Sequence, residues 1–109
     1  MIAALEDKIN YSFKNANLLL AALTHPSVGK DNYERLEFFG DTILSMVIAE
    51  YLYKQFPDER EGSMAKRHAA IICGKTTAQI AINIELGKYL QLSKGEEDCG
   101  GRELDSNLE

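Results

Sequence analysis

The stretch "ERLEFFGD", Glu34 to Asp41, holds the side chains best suited to chemistry. Each residue of a helix turns by about 100°, so Glu34, Glu37 and Asp41 fall within a stripe about 60° wide. Like charges on one helix face repel each other unless they are solvated, paired with cations or bound to a metal. The spacing alone therefore leaves two interpretations open, a solvated acidic face and a metal site.

Two neighbours of these acids favour the metal site. Gly40 in mid-helix costs about 1 kcal/mol relative to alanine, which indicates that something approaches the backbone closely. Phe38 projects from nearly the same face as the carboxylates, where a solvated helix has no use for an aromatic ring. An exposed ring beside acids indicates an interface next to a metal site.

Magnesium is the metal that such a stripe suits best. Mg²⁺ takes one or two protein carboxylates, keeps several waters and bridges to substrate phosphate. That chemistry serves phosphodiester hydrolysis, because the metal activates a water and stabilises charge on the phosphate. Glu61, at the start of the next helix, adds a ligand if the two helices pack side by side.

The elements that position these residues are predicted to be helices throughout, because the apolar residues recur at intervals of three and four. The predicted helices cover about residues 2–9, 16–25, 33–55 and 61–84, with a bend or break at Gly74. Leu36, Phe39, Ile43 and Val47 form the arc opposite the acids, which we expect to be buried.

The second half of the chain gives three further expectations. The segment "LSKGEEDCGG" is predicted to be a turn-rich surface loop, and Cys73 is expected to be buried. Ser106 and Glu109 have the S-x-x-E spacing of a capping box, which predicts that a helix begins at the last residues.

The composition limits the classes of function that are open to this chain. The chain has 109 residues, 45% hydrophobic and 27% charged, as expected of one small folded domain. The formal charge of −5 argues against nucleic-acid binding by bulk positive charge, although a local basic patch stays open. No run is long enough to cross a membrane and the N-terminus does not resemble a signal peptide, so we expect a cytoplasmic protein without a membrane partner.

Several stretches of this sequence resemble those of a known protein family. The run "ERLEFFGDTILSMVIAEYLY" closely resembles the signature helix of the ribonuclease III family of double-stranded-RNA endonucleases. The similarity extends to "LLLAALTHPS", "EGSMAKRHAAIICGKTTAQIA" and "LGKYLQLSKGE", and to the Gly-Gly near the end. The resemblance implies that residues 1–109 form an all-α ribonuclease III-like endonuclease domain. It also implies a homodimer with Mg²⁺, for which Mn²⁺ can substitute, in a valley between the subunits.

The resemblance also implies roles for single residues. Glu37 and Asp41 match two catalytic metal ligands, and Glu34 and Glu61 match accessory acids. Phe38 matches an aromatic residue that inserts into a socket on the partner subunit. The predicted function is Mg²⁺-dependent cleavage of double-stranded RNA in ribosomal and other RNA processing.

The sequence departs from the family pattern at its end. The resemblance implies two more metal ligands, an Asp and a Glu three residues later, which would fall just beyond Glu109. Glu103, Asp105 and Glu109 are acidic but out of register. The family's double-stranded-RNA-binding domain is also missing. We therefore expect an N-terminal part of the nuclease domain, lacking its C-terminal helices and with doubtful activity of its own.

Two alternatives stay open. A non-catalytic RNA-binding or dimerisation module of the same fold is the competing function, although the retained acids argue against it. Lys66 and Arg67 are candidate contacts to RNA phosphates, and an ordinary solvated helix face explains them equally well.

Overall fold

The fold consists of helices, as predicted. The computed structural model describes residues 1–109 and contains seven α-helices and one 3₁₀ turn. They are α1 (Ile2–Ile9), α2 (Ala16–Ala22), α3 (Glu34–Gln55), α4 (Glu61–Ile72), α5 (Gly74–Asn83), the 3₁₀ turn (Leu86–Tyr89), α6 (Lys94–Asp98) and α7 (Asp105–Leu108). No β-strand is present, and a single parallel bridge joins Thr24 to Gln91. None of the helices is long and apolar enough to cross a membrane.

The hydrophobic core lies among the shorter helices. Its buried members are Leu5, Leu19, Leu23, Ala78, Ala81, Tyr89, Leu90 and Leu108. None of them lies on α3 or α4, which pack against each other as a pair. The molecule is accordingly elongated, with extents of 50 × 31 × 24 Å. The helix that carries the acids therefore has much of its surface outside the core.

Local signals explain where several helices begin and end. Asn15 caps α2, since its side chain accepts a hydrogen bond from the Asn17 N–H at 3.1 Å. α3 ends just before Pro57, as expected of a residue that disfavours helix before it. The expected break near Gly74 occurs at Cys73, whose ψ of 152° is extended and separates α4 from α5.

One prediction for the second half of the chain was wrong, and another was right only in part. The segment predicted as a surface loop contains α6, because Ser93 Oγ accepts a hydrogen bond from the Glu96 N–H at 3.2 Å and caps the helix. A helix does begin at the last residues, as predicted, but Ser106 does not cap it, because α7 begins one residue earlier and its N-cap position, Leu104, makes no side-chain cap. The S-x-x-E spacing that marks a helix start in this region is Ser93 to Glu96.

Two predictions of burial were also wrong. On α3 the exposed fractions of Phe39, Ile43 and Val47 are 62%, 44% and 53%, because no other part of this chain covers that arc. Cys73 is exposed, because the break between α4 and α5 takes it out of the helical pattern that predicted its burial.

Candidate metal and nucleic-acid site

The start of α3 places the acidic residues. The Glu34 N–H donates to Asn32 Oδ1 at 2.9 Å, which satisfies one of the free backbone donors at this helix end. The Tyr33 N–H donates to the Thr24 carbonyl at 3.0 Å and ties the entry of the helix to the end of α2. Glu34 and Glu37 lie in the first turn, where the helix dipole stabilises negative charge. The helix end therefore offsets part of the repulsion between the carboxylates.

Glu37 and Asp41 share one cavity of about 280 Å³, which we call the acidic cavity. Its other lining residues are Leu44, Ile72, Gly74, Thr77 and Glu109. The two predicted metal ligands are thus brought together. Glu34 is exposed one turn earlier on α3 and does not line the cavity.

Glu109 is an acid of this cavity that sequence reasoning did not select. Its carboxylate lies against the first residue of α5, so that a Cβ on Gly74 would clash with it. The sequence gives no signal for this contact, because Glu109 is out of register with the family pattern and reaches α5 only through the path of the intervening chain.

Glu61 does not join the other acids within one chain. α3 and α4 do pack side by side, and His68 Nε2 lies 2.9 Å from the Ser45 carbonyl oxygen. They are antiparallel, however, so the C-terminal residue Ile72 lines the acidic cavity while Glu61 begins the helix at its other end. Eleven helical steps separate these two residues, or about 16 Å.

The donor set of the acidic cavity fits a hard divalent cation. No group of three or more His, Cys, Asp or Glu side chains is arranged as metal ligands. The carboxylates of Glu37 and Asp41 nevertheless suit Mg²⁺, which typically keeps several waters and takes one or two carboxylates from the protein. Carboxylates and water also suit Mn²⁺. Glu37 and Asp41 are the residues that would hold the ion.

The outer side of α3 carries apolar residues that this chain does not cover. They are Phe38, beside the acids, and Phe39, Ile43, Met46 and Val47 on the arc opposite the acids; together we call these exposed residues the apolar face of α3. Phe38 is 79% exposed. A Cβ placed on Gly40 would meet no atom within 4 Å, so nothing in this chain approaches that glycine. A surface of this kind marks an interaction site.

A second cavity, of about 310 Å³, lies towards the other end of the α3–α4 pair. It is lined by Tyr51, Leu52, Phe56, Arg67, Ala70 and Ile71. We call it the apolar cavity, because Arg67 is its only charged lining residue.

The two candidate RNA contacts differ in availability. The Arg67 guanidinium lies 4.1 Å from the centre of the Phe56 ring, and its Nε donates to both Glu59 carboxylate oxygens at 2.6 and 2.9 Å. The hydrogen bonds that Arg67 donates to the Glu59 carboxylate raise the pKa of Arg67. Lys66 is exposed and makes no side-chain hydrogen bond or ion pair. Lys66 is therefore the freer of the two to bind a phosphate.

Tyr33 is a further polar residue next to the acids. Burial raises the pKa of its phenol, and nearby carboxylates, first among them Glu37, raise it further. The hydroxyl therefore stays protonated at neutral pH and acts as a hydrogen-bond donor, which it gives to Asn107 Oδ1 at 3.5 Å.

Comparison with known proteins agrees with this geometry. Residues 15–108 match the family model described as ribonuclease-III-like. The chain belongs to the ribonuclease III family. It is 53% identical to ribonuclease 3 of Caldanaerobacter subterraneus subsp. tengcongensis, over 99% of this chain and 50% of that protein. It is 46% identical to ribonuclease 3 of Ehrlichia canis, over 100% of this chain and 50% of that protein.

The fold is that of a ribonuclease III nuclease domain. The nuclease domain of ribonuclease III from Campylobacter jejuni superposes with a TM-score of 0.94 at 44% identity, over 99% of this chain and 76% of that one. The predicted family and fold are thus confirmed. The chain spans about half the length of the curated relatives named above.

Proposed function

We propose that this ribonuclease III-family protein is a Mg²⁺-dependent endoribonuclease that cleaves double-stranded RNA, including ribosomal RNA precursors. The observation that carries the proposal is that Glu37 and Asp41 line one cavity on a ribonuclease III nuclease fold. Both side chains carry carboxyl oxygens, which are the ligands that a hard cation requires.

Residues in the acidic cavity and outside it would have different roles in cleavage. Glu37 and Asp41 would hold the metal, which when bound activates water and stabilises charge on the scissile phosphate. Glu34 lies one turn from Glu37 on the same side of α3, where its exposed carboxylate can accept hydrogen bonds from water bound at the cavity. Lys66 offers a positive charge to a phosphate of the RNA backbone.

The protein is further proposed to act as a homodimer. The apolar face of α3 needs a cover, and Phe38 projects from it almost fully exposed. The apolar cavity of a second copy offers a fitting receptor for that ring, since its lining is mostly apolar. The Campylobacter jejuni nuclease domain is itself described as flexible in a region involved in dimer formation.

Such a dimer also gives Glu61 a role. Phe38 lies near the acidic cavity, whereas the apolar cavity lies near the end of the α3–α4 pair that carries Glu61. Inserting Phe38 of one subunit into the apolar cavity of the other would bring Glu61 of the partner subunit towards Glu37 and Asp41. This arrangement makes Glu61 an accessory acid across the dimer, although it cannot be one within a single chain.

The test is cleavage of a labelled RNA duplex by the full-length protein, with Mg²⁺ and with EDTA. We expect cleavage only with the metal, and we expect Asp41→Asn or Glu37→Gln to abolish it while circular dichroism and RNA binding are retained. Asp58→Asn is the matched control, because Asp58 is an exposed loop acid away from the cavity. Cleavage by either cavity variant at close to the wild-type rate would refute the assignment. Duplex binding without cleavage by the wild type would favour the non-catalytic module.

A further inference from the structure

The side chain of Asn107 joins three segments of the chain. Its Nδ2 donates to Glu96 Oε1 at 3.1 Å and to the Gly101 carbonyl at 3.0 Å. Its Oδ1 accepts the Tyr33 hydroxyl at 3.5 Å, which is a long hydrogen bond. Both donors and the acceptor of the carboxamide are therefore in use. One amide links α7 to α6, to the carbonyl of Gly101 and to Tyr33, the residue that precedes α3.

The partners of Asn107 are themselves held in place. Glu96 is only 27% exposed at its side chain, and its Oε1 lies 3.7 Å from His25 Nε2. The His25 ring packs edge-on against Tyr33, with ring centres 5.9 Å apart. Gly101 is buried, and a Cβ there would clash with Glu96. Asn107 is thus tied to a fixed framework.

α7 packs against α5, but its own local structure does little to fix its orientation. It spans four residues and has no side-chain cap at its start. A helix this short is not stable by itself in water. Leu108 is buried in the core and anchors the segment by apolar contact, which is not directional. Asn107 supplies the side-chain hydrogen bonds of α7 to other elements, and these are directional.

Asn107 is connected to two walls of the acidic cavity, through Tyr33 to α3 and along the chain to Glu109. The Tyr33 carbonyl accepts the Glu37 N–H at 2.8 Å, within the first turn of the helix that carries the acids. Glu109, two residues after Asn107, lines the acidic cavity beside Glu37. A change in the orientation of α7 would therefore move one wall of the cavity relative to the other.

We propose that Asn107 is a positioning residue of the acidic cavity, whose carboxamide fixes α7 against the first turn of α3 and so sets how the cavity accepts its metal ion. This inference rests on the proposed function, because it requires that the cavity binds Mg²⁺ or Mn²⁺. Asn107 does not line the cavity and acts through its partners.

The experiment uses the full-length protein and its variants Asn107→Ala and Asn83→Ala. Asn83 is the control, because it is exposed at the end of α5 and bonds only to Gln79, at 3.1 Å. Mn²⁺ binding is measured by electron paramagnetic resonance, and the Mg²⁺ concentration for half-maximal cleavage is measured on a duplex RNA. Asn107→Ala is expected to weaken metal binding about tenfold in both measurements, the lower end of what losing an outer-shell partner costs. The cleavage rate at saturating metal is expected to change by less than about threefold, and Asn83→Ala is expected to behave as wild type.

The outcomes separate positioning from a structural role. A lower melting temperature with unchanged Mn²⁺ affinity would mean that Asn107 only supports the fold, and this would overturn the inference.

If Asn107→Ala does not fold, Tyr33→Phe decides, since it removes one hydroxyl and leaves both amide donors satisfied. A weaker metal affinity in Tyr33→Phe supports the inference, and an unchanged one overturns it. If the wild type neither binds Mn²⁺ nor cleaves RNA, the proposed function and this inference are overturned together. If the wild type is metal-dependent and Asn107→Ala has the same metal affinity, only the inference is overturned.

Discussion

Replacing Phe38 by alanine tests the proposed dimer most directly. The ring is 79% exposed in the single chain, so its removal takes away little buried area. The free energy of unfolding of the monomer should therefore change by less than about 1 kcal/mol, as for most exposed substitutions. The effect should appear only where two chains meet.

The expected size follows from burial of the ring. Burying a phenylalanine side chain contributes about 1.5–3 kcal/mol relative to leaving it exposed. In a symmetric dimer each subunit presents the same surface, so two rings are affected. The loss is about 3–6 kcal/mol, and a loss of 3 kcal/mol already raises the dimer dissociation constant by about 100-fold.

Sedimentation equilibrium of the full-length protein over a range of concentrations measures this constant. Leu18→Ala serves as the control, since Leu18 is also exposed, at 53%, but lies on α2. An unchanged dissociation constant for Phe38→Ala would refute the reasoning. So would a fall in melting temperature of the dilute monomer, because that would place the ring in the core of the single chain.

Two further predictions concern charge. Lys66→Ala should weaken binding to duplex RNA and reduce the slope of log affinity against log salt by about 1, whereas Arg67→Ala should lower the melting temperature and leave that slope unchanged. Equal slope changes in binding titrations at several salt concentrations would contradict this difference. Hydrogen bonds from Lys88 and Lys8 lower the pKa of Glu85, so its ion pairs stabilise the fold above the usual glutamate pKa of 4.5 and are lost as the pH falls through the lowered value. In urea denaturation the wild type should therefore lose more stability on acidification than Glu85→Gln, and parallel pH profiles would contradict this.

The helices were predictable where a local signal was strong. α1, α3 and α4 begin and end within about two residues of the predicted bounds, because periodicity, Pro57 and the break before Gly74 all act locally. α6 was missed, because five residues are too few to show a helical period. Its signal was the S-x-x-E spacing of Ser93 and Glu96, which lay inside a segment dominated by glycine and acids.

The candidate site was predictable to the extent that it lies on one helix. The spacing of Glu37 and Asp41 places them on one side of α3 before any tertiary contact is known. Glu109 and Asn107 approach α3 only through the path of the loops between α5 and α7. The packing of α4 beside α3 was expected, but it does not by itself determine the position of Glu61. That position also depends on the direction of α4, which is antiparallel to α3.

The apolar face of α3 shows why burial was the least predictable property. A helical period of apolar residues shows that a face must be covered, but the pattern is the same whether the cover comes from the same chain or from another. From the sequence we expected the same chain to cover Phe39, Ile43 and Val47, but these residues are exposed in the structure. Gly40 separates the two cases. Its cost of about 1 kcal/mol in mid-helix is not offset within the chain, because no atom would come within 4 Å of its Cβ. Any close approach to Gly40 would therefore have to come from outside this chain, and the proposed dimer would supply one.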